Sequence, residues 1–243
     1  MFLLQKVLSR VRKAITDYNM ISDGDKIAVG VSGGKDSQLL LIALNELRRF
    51  YPARFDLVGI TVALGFEAFD AAKLLKFYNS LGVDYHIEDT QISRVVFDVR
   101  KEKNPCSLCA NMKRGAFYSA AKALGCNKAA FAHHMDDVIE TLLMSLFYEG
   151  RIHTFSPVTY LDRRDITLIR PMIYTEEKMV RACVKALGLE PIKSGCPVDG
   201  ITKRQDMKDL IHQLMKDNKH LKANIFGAIQ RSGIKGWNIH ESN

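Results

Sequence analysis

The 243-residue chain has no apolar run that approaches the length of a membrane span, and its opening, Met1-Phe2-Leu3-Leu4-Gln5-Lys6, lacks the pattern of a secretion signal. These absences lead to the expectation of a soluble, cytoplasmic protein with no membrane partner. Internal repeats and low-complexity stretches are missing too, which leaves an ordinary globular fold. Cysteine is scarce and odd in number: Cys106, Cys109, Cys126, Cys183 and Cys196 make five. Without a secretion signal, that excludes a disulfide framework and favours metal binding or thiol chemistry. What is plentiful is apolar and basic. Hydrophobic residues make up 47%, enough for one large α/β domain or one domain with small additions. The net charge is +8 and the pI about 9.2, which suits a polyanionic partner or simply a basic protein; charge alone leaves both open.

The chain is organised around Ile27-Ala28-Val29-Gly30-Val31-Ser32-Gly33-Gly34-Lys35-Asp36-Ser37. Its first five residues read as a buried strand, the next six as a glycine-rich turn, and Gln38 to Leu44 as a helix. A strand feeding a glycine turn that opens a helix aims free N–H groups and the positive helix end at one spot, where a phosphate fits. Gly33 and Gly34 allow close backbone approach, Ser32 and Ser37 add hydroxyls, Lys35 adds a charge, and Asp36 is a candidate magnesium ligand. A Walker A loop is excluded because Asp36 follows Lys35, and a dinucleotide fingerprint is excluded because Ser32 stands where its second glycine belongs.

Elsewhere the pattern alternates strand and helix. Residues 2–18 predict an amphipathic helix. Residues 55–63, 83–87, 129–132 and 167–169 predict further strands. Helices are predicted over 69–81, 106–124, 138–148 and 175–187, the last capped by Thr175, with two short ones over 207–215 and 221–229. Residues 90–104 read as an irregular, mobile connection. The expected fold is a doubly wound parallel sheet with helices on both faces. The expected divisions are an N-terminal helix within 1–24, a nucleotide domain over 25–200, and a basic helical tail over 201–243.

The strand at 129–132 runs into Ala132-His133-His134-Met135-Asp136-Asp137. In a parallel sheet this places two histidines and two carboxylates beside the glycine turn. Asp136 and Asp137 would bind magnesium or cap the following helix, and the histidines would meet phosphate or the reacting base. Pro105-Cys106-Ser107-Leu108-Cys109 puts two thiols on one face of a helix start, where the dipole favours thiolates. Lys113 and Arg114 follow on that helix, and Cys196, before Pro197, is a third candidate. A structural zinc site would want a fourth ligand, whereas a persulfide relay would need no metal. Cys126 and Cys183 sit in apolar helical surroundings and read as core.

Ser32-Gly33-Gly34-Lys35-Asp36-Ser37 resembles the pyrophosphate loop of the PP-loop ATPases. With the C-x-x-C before Lys113-Arg114, the His-His-Met-Asp-Asp run and a late Cys-Pro, the chain is similar to the tRNA 2-thiocytidine biosynthesis family over about residues 20–200. The resemblance implies that ATP is split between its α and β phosphates and that AMP goes to the C2 oxygen of a pyrimidine, cytidine favoured. It implies magnesium, and a four-iron, four-sulfur cluster on Cys106, Cys109 and Cys196 with one open iron. The adenine is expected along Thr61, Val62 and Ala63. The partners implied are tRNA and a sulfide or persulfide donor such as a cysteine desulfurase, and a homodimer is compatible. The chain differs from some relatives of that family in its single late cysteine and in lacking cysteine-rich zinc modules. Uridine, a non-tRNA substrate and a persulfide route therefore stay open, as does a non-enzymatic nucleotide-binding redox or metal sensor. Basic residues around the cysteine motif (Arg94, Arg100, Lys101, Lys103) and in the tail (Lys203, Arg204, Lys208, Lys216, Lys219, Lys222) suit either an RNA backbone or a solvated face, and Arg170 is a candidate for phosphate or RNA.

Overall fold

The computed structural model describes residues 2–66, 70–100, 105–192 and 203–239. In chain order the elements are α1 (Phe2–Asp17), β1 (Asp25–Gly30), α2 (Lys35–Leu47), β2 (Phe55–Ala63), α3 (Ala71–Leu81) and β3 (Asp84–Asp89). There follow a π-helical stretch (Arg94–Val99), α4 (Pro105–Ala123), β4 (Lys128–Ala130), α5 (Met135–Glu149), β5 (Val158–Leu161), β6 (Ile166–Ile169), α6 (Glu177–Ala186), α7 (Lys203–Leu214) and α8 (Leu221–Arg231). None of these helices is long and apolar enough to cross a membrane.

The strands form one sheet in the order β3-β2-β1-β4-β6-β5. From β1 the chain winds outward through β2 and β3, then returns to the other side of β1 with β4 and β6. The order reverses between β1 and β4, and such a switch point opens a crevice beyond the carboxyl ends of the strands. Alternation along each strand assigns the two faces. Ile27, Val29 and Leu57 pack with α1, α2, α3 and α6, whereas Ala28, Val58, Ile60 and Val62 pack with Phe117, Ala120 and Ala121 of α4.

Three sequence expectations are corrected. The sheet is mixed rather than wholly parallel: β5 pairs antiparallel with β6. This four-residue edge strand is only partly buried and owes its place to its partner, not to a strong pattern of its own. Residues 94–99, read as part of an irregular connection, are π-helical, because Val96 turns into the core beneath α4. Thr175 does not cap α6, which starts at Glu177. Its first N–H is taken instead by Asp136 Oδ2 at 2.7 Å, so a carboxylate from a neighbouring helix does the work of a local cap.

The segment read as a helical tail carries α7 and α8, and Met207, Ile211, Phe226 and Ile229 are buried. Trp237, beyond α8, has no exposed surface and donates from Nε1 to Phe155 O at 3.2 Å. Its ring meets Phe226 and Tyr18 edge-on. Replacing a buried aromatic of this size costs about 3–5 kcal/mol. Denaturant unfolding of Trp237→Ala followed by circular dichroism is therefore expected to show a loss in that range, and a loss below about 1 kcal/mol would contradict the packing of α8.

Candidate active site

The turn between β1 and α2 has the geometry of an anion cradle. Gly33 has φ +83°, in the left-handed region, and a Cβ there would lie 3.0 Å from Ile192 Cβ, so both conformation and space require glycine. Gly34 is extended and takes the N-cap position of α2 without a side-chain cap, leaving the first N–H groups of the helix open to a ligand. Ser37 Oγ donates to Gly34 O at 2.9 Å and lies 3.2 Å from Ser32 Oγ, which fixes both hydroxyls at the rim. The Gly33 carbonyl accepts from Ile192 N at 2.9 Å, tying the chain after α6 to the loop.

Around this cradle, carboxylates and cations alternate. Lys35 Nζ lies 2.9 Å from Asp36 Oδ2 and 3.1 Å from Glu177 Oε1. Burial works against the charged amine, but the two carboxylates outweigh it and hold its pKa above the usual lysine value. Glu177 is opposed by burial in the same way, yet Arg181, Lys35 and Lys208 pull it down to about 2. Asp137 Oδ1 is held by Arg204 Nη1 at 2.5 Å, and Asp136 Oδ1 by Lys222 Nζ at 2.5 Å. Burial pushes Glu140 up to about 7, even with Lys208 and Arg204 nearby.

Asp36 Oδ1 is buried and has no hydrogen-bond partner. A hard, acceptor-only oxygen left open at a phosphate cradle fits magnesium, which takes one or two carboxylates and completes its shell with water and substrate phosphates. The other two acids serve elsewhere. The N-cap of α5 is His134, whose Nδ1 accepts from Asp137 N at 3.3 Å while Asp137 Oδ2 accepts from His134 N at 2.9 Å. Asp136, expected as a magnesium ligand or the cap of that helix, is occupied by Lys222 and the α6 N–H instead. With Nδ1 accepting, the His134 proton sits on Nε2, which faces Asp36 Oδ1 at 3.8 Å.

A cavity of about 1070 Å³ opens from the loop across the α4 side of the sheet. Val31, Ser32, Gly34, Asp36 and Ser37 line it at one end, joined by Ala132, His133 and Asp137. Ile60, Val62 and Phe117 make an apolar strip over β2. Of the three residues expected along the adenine, only Val62 has this position. Thr61 Oγ1 lies 3.0 Å from the hydroxyl of Tyr78 on α3, on the opposite face of the sheet, because successive strand side chains alternate; Ala63 shares its phase. Lys113 and Arg114 of α4 line the cavity, and Arg170 and Arg204 join them. The sequence reading missed the opposite wall, made by the β5–β6 hairpin with Thr159, Arg163 and Arg164. Its signal was present: a β-branched and aromatic run, a charged turn, then Ile166-Thr167-Leu168-Ile169.

Cys106 and Cys109 occupy the first turn of α4, one turn before Ala110 and Lys113 enter the cavity wall. Cys106 is exposed, and Cys109 is half-buried beside Leu108 and Met112. Their i, i+3 spacing puts two soft sulfur donors on one helix face, a donor set suited to iron–sulfur or zinc chemistry. Cys196 lies outside the described residues, as do Lys101 and Lys103. Among the described residues no three His, Cys, Asp or Glu side chains form a metal site by themselves. Cys126 and Cys183 are buried in the core, as expected. Of the cations read as facing RNA, Arg204, Lys208 and Lys222 turn inward onto carboxylates.

The PP-loop domain family matches residues 3–193. A tRNA-cytidine(32) 2-sulfurtransferase of Syntrophotalea carbinolica is 40% identical over 93% of this chain and 89% of its own length. A protein of the same name from Geobacter sulfurreducens is 36% identical over 93% of this chain and 89% of its own. Among solved structures, the U34-tRNA thiolase NcsA from Methanococcus maripaludis, with its four-iron, four-sulfur cluster, superposes with a TM-score of 0.77 at 25% identity, covering 96% of this chain and 80% of that one. An NH3-dependent NAD synthetase from Campylobacter jejuni shares the fold, with a TM-score of 0.51 at 15% identity over 94% of this chain and 92% of its own.

His133 provides a check on the cavity floor. Burial, then the positive charge of Arg170, lowers its pKa to about 4. Between pH 6.5 and 4 the unfolded chain therefore takes up the proton first, and this contribution to stability is lost as pH falls through that window. The ring resonances of His133 in an NMR titration are expected to stay unshifted above pH 5; a midpoint near 6.5 would contradict its environment.

Proposed function

We propose, for a chain that belongs to the PP-loop family of tRNA-cytidine(32) 2-sulfurtransferases, that it uses ATP to replace the C2 oxygen of a tRNA cytidine with sulfur. One observation carries this reading. A single cavity joins the phosphate cradle to a cationic wall, and the helix that builds part of that wall opens with Cys106 and Cys109.

ATP would lay its β and γ phosphates on the amides and hydroxyls of Ser32–Ser37, with magnesium on Asp36 Oδ1 and the adenine against Ile60, Val62 and Phe117. Lys35, held by Asp36 and Glu177, would turn from these carboxylates to the negative charge that grows as the bond between the α and β phosphates breaks. The cytidine must leave its stack to reach this depth. Its C2 oxygen attacks the α phosphate and pyrophosphate leaves. Sulfur then adds at C2, and AMP departs with the former base oxygen. No strong general base is needed for attack, because adenylation creates the leaving group.

Cys106 and Cys109 would hold a four-iron, four-sulfur cluster together with Cys196. Such a cluster supplies, when bound, an open iron for an inorganic sulfide near the activated carbon. Cys196 is four residues from Ile192, which is fixed to the loop at Gly33, and four residues of chain reach about 14 Å at most. The exposure of Cys106 favours a second reading for the sulfur step alone, in which that thiol takes sulfane sulfur from a persulfide donor, the outer sulfur attacks C2 as AMP leaves, and Cys109 cleaves the resulting S–S bond to give a Cys106–Cys109 disulfide that an external thiol reduces.

Anaerobically purified protein, given a tRNA transcript, ATP, magnesium and sulfide, is expected to yield 2-thiocytidine by nucleoside mass spectrometry. Cys106→Ala and Cys109→Ala are expected to lose thiolation by at least about 100-fold while still releasing pyrophosphate in the presence of tRNA. Full thiolation by the Ala variants would overturn the role of these thiols. Full thiolation by iron-free wild-type protein given a sulfane-sulfur donor and a reducing thiol, with none from sulfide, would move the sulfur step to the persulfide route.

A further inference from the structure

Arg170 stands apart from the other buried cations. It follows β6 and is only 8% exposed, yet it lines the cavity. Its Nη1 donates to Ser156 O at 2.5 Å and to Thr159 Oγ1 at 3.2 Å, and the guanidinium lies 4.8 Å from the centre of the Phe155 ring. All of these partners are neutral. Its Nε is buried with no hydrogen-bond partner. Among the described residues no carboxylate lies within ion-pair distance of it. Burial pulls its pKa down to about 10, with Arg114 adding a like charge, so it remains a cation at neutral pH.

The comparison within the molecule is direct. Lys128, 9% exposed, lies 2.6 Å from Asp25. Lys222 and Arg204 each meet a carboxylate at 2.5 Å. An unmatched buried charge is costly, and it persists where a ligand supplies the opposite charge. The unpaired, buried N–H of Arg170 and its fork geometry suit an oxyanion of the phosphate type.

The sheet order decides which phosphate. The ATP cradle follows β1, and β4 lies between β1 and β6. Two strand spacings amount to about 10 Å, which sets the backbone of Arg170 on the far side of β4 from the loop. Arg114, Arg163 and Arg164 line the same cavity as Arg170, with Asp162 the one carboxylate of the hairpin among them, a mainly positive lining that suits linked phosphates. We infer that Arg170 receives a backbone phosphate of the RNA strand beside the nucleotide that enters the cavity. This subsite rests on the tRNA-thiolation reading.

The test compares wild type, Arg170→Gln and Arg170→Lys for binding of an unmodified tRNA transcript between 50 and 200 mM salt (roughly the range over which phosphate contacts show), and for ATP binding without RNA. Arg170→Gln is expected to weaken tRNA binding by about 10-fold and to make the slope of log K against log salt shallower by about 0.7–0.9, the loss of one phosphate contact. ATP affinity is expected to stay within about twofold. Arg170→Lys is expected to keep the slope while losing part of the affinity, because the charge remains and the fork does not. A purely structural arginine would not change the salt slope by one contact. Should Arg170→Gln fail to fold, Arg170→Lys decides: weaker tRNA binding at an unchanged slope supports the subsite, and wild-type affinity overturns it. A loss of ATP affinity with tRNA binding intact overturns it by assigning Arg170 to the nucleotide. Wild-type binding of the transcript with Arg170→Gln unchanged overturns the subsite alone; a wild-type protein that does not bind the transcript overturns the subsite and the reading beneath it.

Discussion

Lys35 between Asp36 and Glu177 is the contact on which the rest of the site depends. A loop built to receive a polyphosphate gathers N–H dipoles and a cation at one point, and before the ligand arrives that charge must be held in place. Two carboxylates do so, and Glu177 and the neighbouring acids are matched in turn in a partly dry setting. Glu177 draws Arg181 and Lys208, Asp137 draws Arg204, and Asp136 draws Lys222. The C-terminal helices are thereby fastened to the nucleotide site by charge as well as by apolar packing. In the most buried of these pairs, Lys222 with Asp136, removing the lysine leaves a buried charge without its counterpart, which typically costs about 3–5 kcal/mol.

The same charges divide the cavity. On the β2 side the lining is apolar, over Ile60 and Val62. On the β6 side it is cationic, over Arg170 and the β5–β6 hairpin. The glycine loop lies between them because the sheet order changes direction between β1 and β4. A purine on one side and an RNA nucleotide on the other would meet at the loop, where the phosphate that links the two half-reactions must sit. One fold constraint thus sets where the apolar and cationic linings lie relative to the loop.

Much of this was readable before the structure. The loop Ser32–Ser37 is legible because its function resides in local geometry: glycine conformation, hydroxyl spacing, a helix start. The alternation of strands and helices was legible from periodicity. What was not legible depends on partners far away in the chain. Asp136 looked like a metal ligand or a cap for its own helix, but Glu177 N and Lys222 claim it from 41 and 86 residues away. No spacing rule reports that. Thr61 shares its strand with Val62 but not its face, since the phase of alternation is set by which helix covers which side. The antiparallel β5 was missed because a four-residue edge strand takes its stability from β6, and with it went Arg163 and Arg164, whose charges were visible but whose positions were not.

The central claim is that one oxygen atom passes from the base to AMP within a single cavity. It is tested most directly with a tRNA transcript carrying oxygen-18 at C2 of the target cytidine, incubated with the protein, ATP and a sulfur source, followed by mass spectrometry of the nucleotide products. The account predicts the heavy oxygen in the phosphate of AMP, in a one-to-one ratio with thiolated tRNA. Thiolated tRNA accompanied by unlabelled AMP would contradict it.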